Sequence, residues 1–197
     1  MGKLDELERF HAETRAALRR WLAANHVSSP GAWIVSWKKE TKKSRIDAAT
    51  IAEEALCFGW VDSLPRKLDA QRSMILVTPR KPKSSWSKLN KERAARMERE
   101  GRMTDAGRAV IDAAKASGTW VALDRVEALE VPEDLAEALR ASRGGKAAAH
   151  FDAFPRSAKR AILEWIGAAK TPETRARRVA ETATKAAKNE RANQWRK

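Results

Sequence analysis

The chain has 197 residues, 43% of them hydrophobic, and its eight Trp call for large apolar areas in one domain, or in one domain plus a smaller unit. Its formal net charge of +14 favours phosphate polymers, anionic lipid or acidic protein surfaces as partners and decides nothing about fold. The single cysteine, Cys57, excludes an internal disulfide and points to a reducing, cytoplasmic setting.

Residues 4–24 keep an apolar spacing of three or four through Leu4, Leu7, Phe10, Thr14, Leu18, Trp21 and Leu22, which predicts one helix or two. Met1–Phe10 has no signal-peptide core, and no apolar run approaches the ~20 residues that span a bilayer. Ser28, Ser29 and Pro30 mark a turn, and Ala32–Lys38, rich in Trp, Ile and Val, reads as a strand. A basic connection leads to Asp47, an N-cap for a helix through Cys57 that Gly59 ends. Trp60–Leu64 and Arg72–Thr78 are the next strands, with a turn at Asp69–Gln71. Pro79 and Pro82 bracket a basic loop, after which Ser84 or Ser85 caps a helix over Trp86–Glu100, ended by Gly101. Thr104 opens another, closed by Gly118, and residues 119–131 carry no clear pattern.

The remainder reads as helix. Pro132 starts one segment, Gly144–Gly145 breaks the chain, and Pro155 opens a helix with Ala158, Ile162, Trp165 and Ile166 on one stripe. Thr171-Pro172 opens the last helix, with Ala176, Val179 and Ala183 inward, and an Ala-, Lys- and Arg-rich tail frays out to Lys197. The fold class that follows is α+β. Residues 1–130 form a small, mainly antiparallel sheet with flanking helices, and residues 131–197 an all-helical C-terminal unit.

The loop TPRKP is the leading functional candidate. Arg80, Lys81 and Lys83 stand among prolines that stiffen the backbone, and a helix begins directly after them. A helix N-terminus offers unpaired N–H groups and partial positive charge to an anion. Ser85 and Ser87 add hydroxyls, Trp86 an aromatic wall and Asn90 an amide. From Ser63 to Arg102 there are twelve Lys/Arg against four Asp/Glu, an excess of eight out of the net +14. The competing structural reading has a serine capping the helix, Trp86 in the core and the cations solvated. Trp60 and Asp62, two apart, share one strand face if extended, and Asp62 and Asp69 are placed to pair with Arg66, Lys67 or Arg80. Cys57 on the last turn of a helix reads as a buried small hydrophobe. His11, His26 and His150 lack ligand spacing, so neither a metal site nor a cofactor motif is expected. Arg175, Arg177 and Arg178 open the last helix against its dipole and are candidate polyanion contacts.

Three stretches carry a resemblance: EALCFGWVDS (Glu54–Ser63) with Lys67-Leu68-Asp69; TPRKPKSSWSKLN (Thr78–Asn90) with Gly101-Arg102-Met103 and Gly107; and Phe154-Pro155 through Arg160, Ile162, Trp165 and Glu173-Thr174-Arg175 to Arg178. In these the chain resembles the YdeI/OmpD-associated (bacteriocin-protection) family. The resemblance implies a two-part protein with an OmdA-like helical domain at its C-terminus. The family's name implies a link to outer-membrane porins and cationic-peptide resistance. It supplies no catalytic residue.

These readings favour a noncatalytic binding protein that holds an anionic ligand or nucleic acid through Arg80–Asn90. One alternative is a pocket protein or enzyme in which Trp60, Asp62, Arg80, Trp86 and Asn90 enclose an anionic metabolite; Lys67 is a separate ligand-binding candidate. The other is a stress or peptide-resistance adaptor that docks a protein partner through its helical tail.

Overall fold

The computed structural model describes residues 2, 4–142 and 144–194, so residues 195–197 of the tail expected to fray lie outside it. Two compact units divide the chain, Met1–Ala122 and Leu123–Lys197.

Four strands build the sheet of the first unit: β1 (Glu8–His11), β2 (Ala32–Trp37), β3 (Trp60–Lys67) and β4 (Arg72–Pro79), in the order β1-β2-β4-β3. β2 and β3 both pair antiparallel with β4, and β1 pairs parallel with β2. Such a parallel pair needs a crossover, which the helix α1 (Arg15–Asn25) supplies. The fold class is therefore α+β, with a mainly antiparallel sheet and helices, as the strand and helix patterns imply.

The first helix expected from Leu4 onward begins only at Arg15, where the Thr14 hydroxyl accepts from the Ala17 N–H. Upstream, Phe10 stacks on Trp21 at 5.4 Å while Leu7 packs with Trp33, Val35, Met74 and Leu76. Neighbouring apolar residues thus serve opposite faces of the sheet, a period of two that a spacing of three conceals.

Opposite the strands lie α2 (Ala48–Cys57), α3 (Lys88–Arg99) and α4 (Asp105–Ala116). Leu18, Leu22, Ile34, Ile51, Cys57, Trp60, Trp86 and Met97 meet in this core; each large apolar side chain fully buried there contributes about 1.5–3 kcal/mol. α2 is capped as expected, with Asp47 accepting from the Thr50 N–H at 2.8 Å. Its far end is sealed by α4: the Thr104 hydroxyl donates to the Cys57 carbonyl at 2.6 Å. Gly107 makes that approach feasible, because a Cβ there would overlap the Cys57 carbonyl and the Met103 sulfur. At the β3 margin the ladder shifts register between Asp62 and Pro65.

Helices make up the second unit: α5 (Asp124–Glu127), α6 (Glu133–Ala141), α7 (Ala147–Ala153), α8 (Arg156–Gly167) and α9 (Pro172–Ala187). Leu135, Leu139, Phe151, Ile162, Leu163, Ile166 and Val179 form its core. Val179, Thr182, Ala183 and Ala186 of α9 face inward at helical spacing. One turn earlier that spacing falls on Arg175, so Ala176, expected inward, is exposed. No helix among the described residues is long and apolar enough to cross a membrane.

Candidate functional site

β4 delivers the chain into the basic loop. The Arg80 N–H donates to the Gly59 carbonyl at 3.0 Å, which extends the β3–β4 ladder by one bond. The loop then closes on itself, with the Ser84 N–H and hydroxyl both donating to the Lys81 carbonyl. The Arg80 guanidinium lies 4.0 Å from the centre of the Trp86 ring and donates to the Ser85 carbonyl at 2.7 Å. Burial pulls the Arg80 pKa below its ordinary value, against the opposing pull of the Asp62 carboxylate. Its Nε is buried and has no partner among the described residues.

α3 starts later than Ser84 or Ser85 predicts. Ser87 is the N-cap, accepting from the Asn90 N–H at 3.3 Å, and the helix begins at Lys88. The Asn90 side chain accepts from Arg93 at 3.0 Å. Trp86 precedes the cap and is 2% exposed, packed at 4.8 Å against Trp120. It is an anchor for the loop, and Arg80 already covers its ring, so the aromatic wall expected for a ligand is not there.

Trp60 is likewise 2% exposed, donating its indole N–H to the His26 carbonyl and meeting Trp21 edge-on. Lys67 stands opposite Ser73 while Trp60 stands opposite Pro79. That places Lys67 at the other end of the hairpin from Arg80, about 20 Å away by strand rise. The expected cleft of Trp60, Asp62, Arg80, Trp86 and Asn90 is therefore not formed, because Trp60 and Trp86 are packed solid, and Lys67, a separate ligand-binding candidate, is remote. Asp69 pairs with Arg72 and Arg66 with Asp5, neither as expected, whereas Asp62 does act on Arg80.

What the fold does assemble is a cationic surface. Arg80, Lys81, Lys83, Lys88 and Lys91 follow one another along the turn and the start of α3 with no carboxylate residue among them, and Lys88 reaches Glu92 at 4.0 Å. Lys81, Lys83, Ser85 and Lys88 are exposed. In the second unit the arginines divide. Arg175 makes a two-pronged pair with Asp134, at 2.7 and 3.0 Å, and Arg178 donates to the Trp165 carbonyl while lying over that ring. Both are consumed by the fold, so of the three arginines proposed for polyanion contact only Arg177 is exposed.

Sequence reasoning missed a second charge cluster. Glu54 is 0% exposed and accepts from Arg15 at 2.6 Å, Arg19 at 2.9 Å and Arg102. Glu53 beside it takes Arg15 at 3.0 Å and Arg96. Burial pushes the Glu54 pKa up, but the bonds from Arg102, Arg15 and Arg19 outweigh it and hold the carboxyl below its usual range. Cys57 next to this cluster has its thiol pushed up to about 11, by burial first and by Glu54 second. It is a core side chain, and a thiol so shifted is a poor nucleophile near neutral pH. Among the described residues no group of three or more His, Cys, Asp or Glu is placed to hold a metal ion.

Residues 10–110, just over half the chain, match the family described as a domain of unknown function, DUF8412. Residues 128–189 match the family described as "Bacteriocin-protection, YdeI or OmpD-Associated". The chain belongs to the DUF8412 family and carries a YdeI/OmpD-associated domain. The cationic loop and the Glu53–Glu54 cluster lie within the DUF8412 match, and α6 to α9 within the YdeI/OmpD-associated one. Of the three stretches that resemble the latter family, only the one from Phe154 to Arg178 falls inside its match. No curated protein and no solved structure matches the chain.

Proposed function

We propose that this is a binding protein without a catalytic step, whose first unit holds an anionic partner, nucleic acid foremost, on the surface around Arg80–Asn90. The observation that carries the reading is the exposed series Lys81, Lys83 and Lys88 on an anchored turn, with no acidic residue in the sequence between Asp69 and Glu92. Pro82 stiffens the turn, and Arg80 pins it through Trp86 and the Ser85 carbonyl. Lys81, Lys83 and Lys88 then meet a phosphate backbone with little loop entropy left to lose. A cytoplasmic setting, where such partners are at hand, accompanies this reading.

The test is affinity against salt. Neutralised phosphates release counterions, so log K should fall linearly with log salt, by about 0.9 per phosphate contact for duplex and about 0.7 for single strands. Lys81→Glu combined with Lys83→Glu should weaken binding to every sequence alike and flatten that slope by about two. Arg80→Ala and Trp86→Ala are the wrong probes, because both loosen the core. No binding to nucleic acid or inorganic polyphosphate at low salt, or an unchanged slope in the double variant, overturns the proposal.

A further inference from the structure

Behind the cationic turn, α3 and α4 enclose a groove with a cavity volume of about 300 Å³, lined by Lys91, Ala94, Ala95, Ile111, Lys115 and Trp120, among others. That is the lower end of the usual range for small-molecule sites, about 300–1,000 Å³, and leaves room for one ring system. Ala94, Ala95 and Ile111 make its floor apolar. Trp120 is half-buried; its backbone N–H donates to the Ala114 carbonyl at 3.0 Å and its ring packs on Trp86 at 4.8 Å. The indole is thus held in place. The Lys91 and Lys115 ammoniums stand 5.5 and 5.6 Å from its ring centre.

Two carboxylates border the groove: Glu98 is taken by Arg108, and Asp112 offsets part of the Lys115 charge. Glu98 accepts from Arg108 Nε at 2.8 Å, and Asp112 faces Lys115 at 4.0 Å. Lys91 lies one helical turn beyond Lys88, so the cations of the turn continue to the rim of the groove, with Glu92 standing 4.0 Å from Lys88. We infer that this groove takes a nucleobase of a single-stranded nucleic acid against Trp120, while Lys81, Lys83, Lys88, Lys91 and Lys115 follow its phosphates. The inference deepens the proposed function and rests on it.

The chemistry favours this occupant over other anions. An acidic peptide, a lipid headgroup or polyphosphate would use the lysines and leave the aromatic slot empty. A base inside a duplex is stacked and paired, whereas a single strand can splay a base onto an aromatic side chain. Every base has a π-face, so such a slot is tolerant of sequence. A free nucleotide fills the slot but reaches few of the lysines spread along turn and helix.

Fluorescence anisotropy with a labelled oligothymidylate of about 12 nucleotides, against a duplex of the same length, a free nucleotide and inorganic polyphosphate as competitors, tests this. The single strand should bind about tenfold tighter than the duplex at equal salt, with the nucleotide much weaker. Trp120→Leu should abolish that preference and leave polyphosphate binding intact, and Trp120→Phe should retain it. Ala95 is exposed, so Ala95→Glu fills the slot with a carboxylate without disturbing the core and decides the matter if Trp120→Leu fails to fold. A single-strand preference that survives Ala95→Glu, or polyphosphate competing as well as oligothymidylate, overturns the groove and leaves the cationic turn standing. A free nucleotide that binds as tightly as the oligonucleotide overturns the choice of a polymer. Absence of binding to all four probes overturns both readings.

Discussion

Glu54 is a buried carboxylate whose ionised form is held by three arginines, two from α1 and one from the turn before α4. Removing the buried carboxylate leaves three guanidiniums, each about a third exposed, with excess charge, at a cost near the lower end of the range for buried pairs, about 3 kcal/mol. Glu54→Gln should lower stability by that amount, read as the urea midpoint, with the slope of the transition unchanged. Local chemistry was legible at this scale. Asp47, Thr104 and Thr171 cap helices as their types and positions predict, because a cap needs only the next three residues. The Glu54 cluster was not legible, since its partners lie 35 to 48 residues away and nothing local separates Arg15 and Arg19 from the other basic residues. A hint existed: Glu54 and Arg102 both stand in stretches that carry the family resemblance. Trp60 and Trp86 were misplaced for a related reason. An indole suits a pocket wall and a core equally well, and only packing decides between them.

Among elements, β1 and the start of α3 show where periodicity misleads. Four residues of strand make too few alternations to outweigh a chance spacing of three, and the parallel partner that defines β1 lies beyond a whole helix. At α3, three serines offer caps within four positions, and the winner is set by Trp86 entering the core one residue earlier. The α2–α4 contact is the most exacting of these junctions. Gly107→Ala should cost about 3 kcal/mol, the upper end of overpacking penalties, because the obstacles are a backbone carbonyl and a buried sulfur. Chemical denaturation measures it, and Gly101→Ala is an apt comparison: nothing stands within 4 Å there, so its cost reflects backbone strain alone.

For the whole molecule, pH acts mainly through carboxylates held below their ordinary values. The bond to the Thr50 N–H lowers Asp47, that to Arg175 lowers Asp134, and the guanidinium bonds lower Glu54 in spite of its burial. A depressed pKa stabilises the fold above the unfolded value, near 4, and that stability is lost as pH falls through the folded value. The thermal midpoint should therefore hold steady from about pH 5 to 7 and drop below about pH 4. Cys57 has the opposite sign. Its pKa is raised from 9.0 to about 11, so its contribution is present below 9.0 and fades as pH climbs toward 11. A midpoint that stays flat down to pH 3 would show that these pairs do not stabilise the fold. The α+β class was legible at this scale because it depends on the sum of many local patterns, whereas which cations stay exposed depends on which ones the fold uses up.

The register shift beside Pro65 has a bearing on copies of this chain meeting one another. β3 is a margin of the sheet, where open amide and carbonyl groups can recruit a foreign strand. Pro65 lacks the donor such recruitment needs, and the displaced ladder skews its neighbours out of line. With β1 only four residues long at the opposite margin, neither border offers a straight template for fibril growth. Even where copies are crowded together, each gives its neighbour little to zip onto.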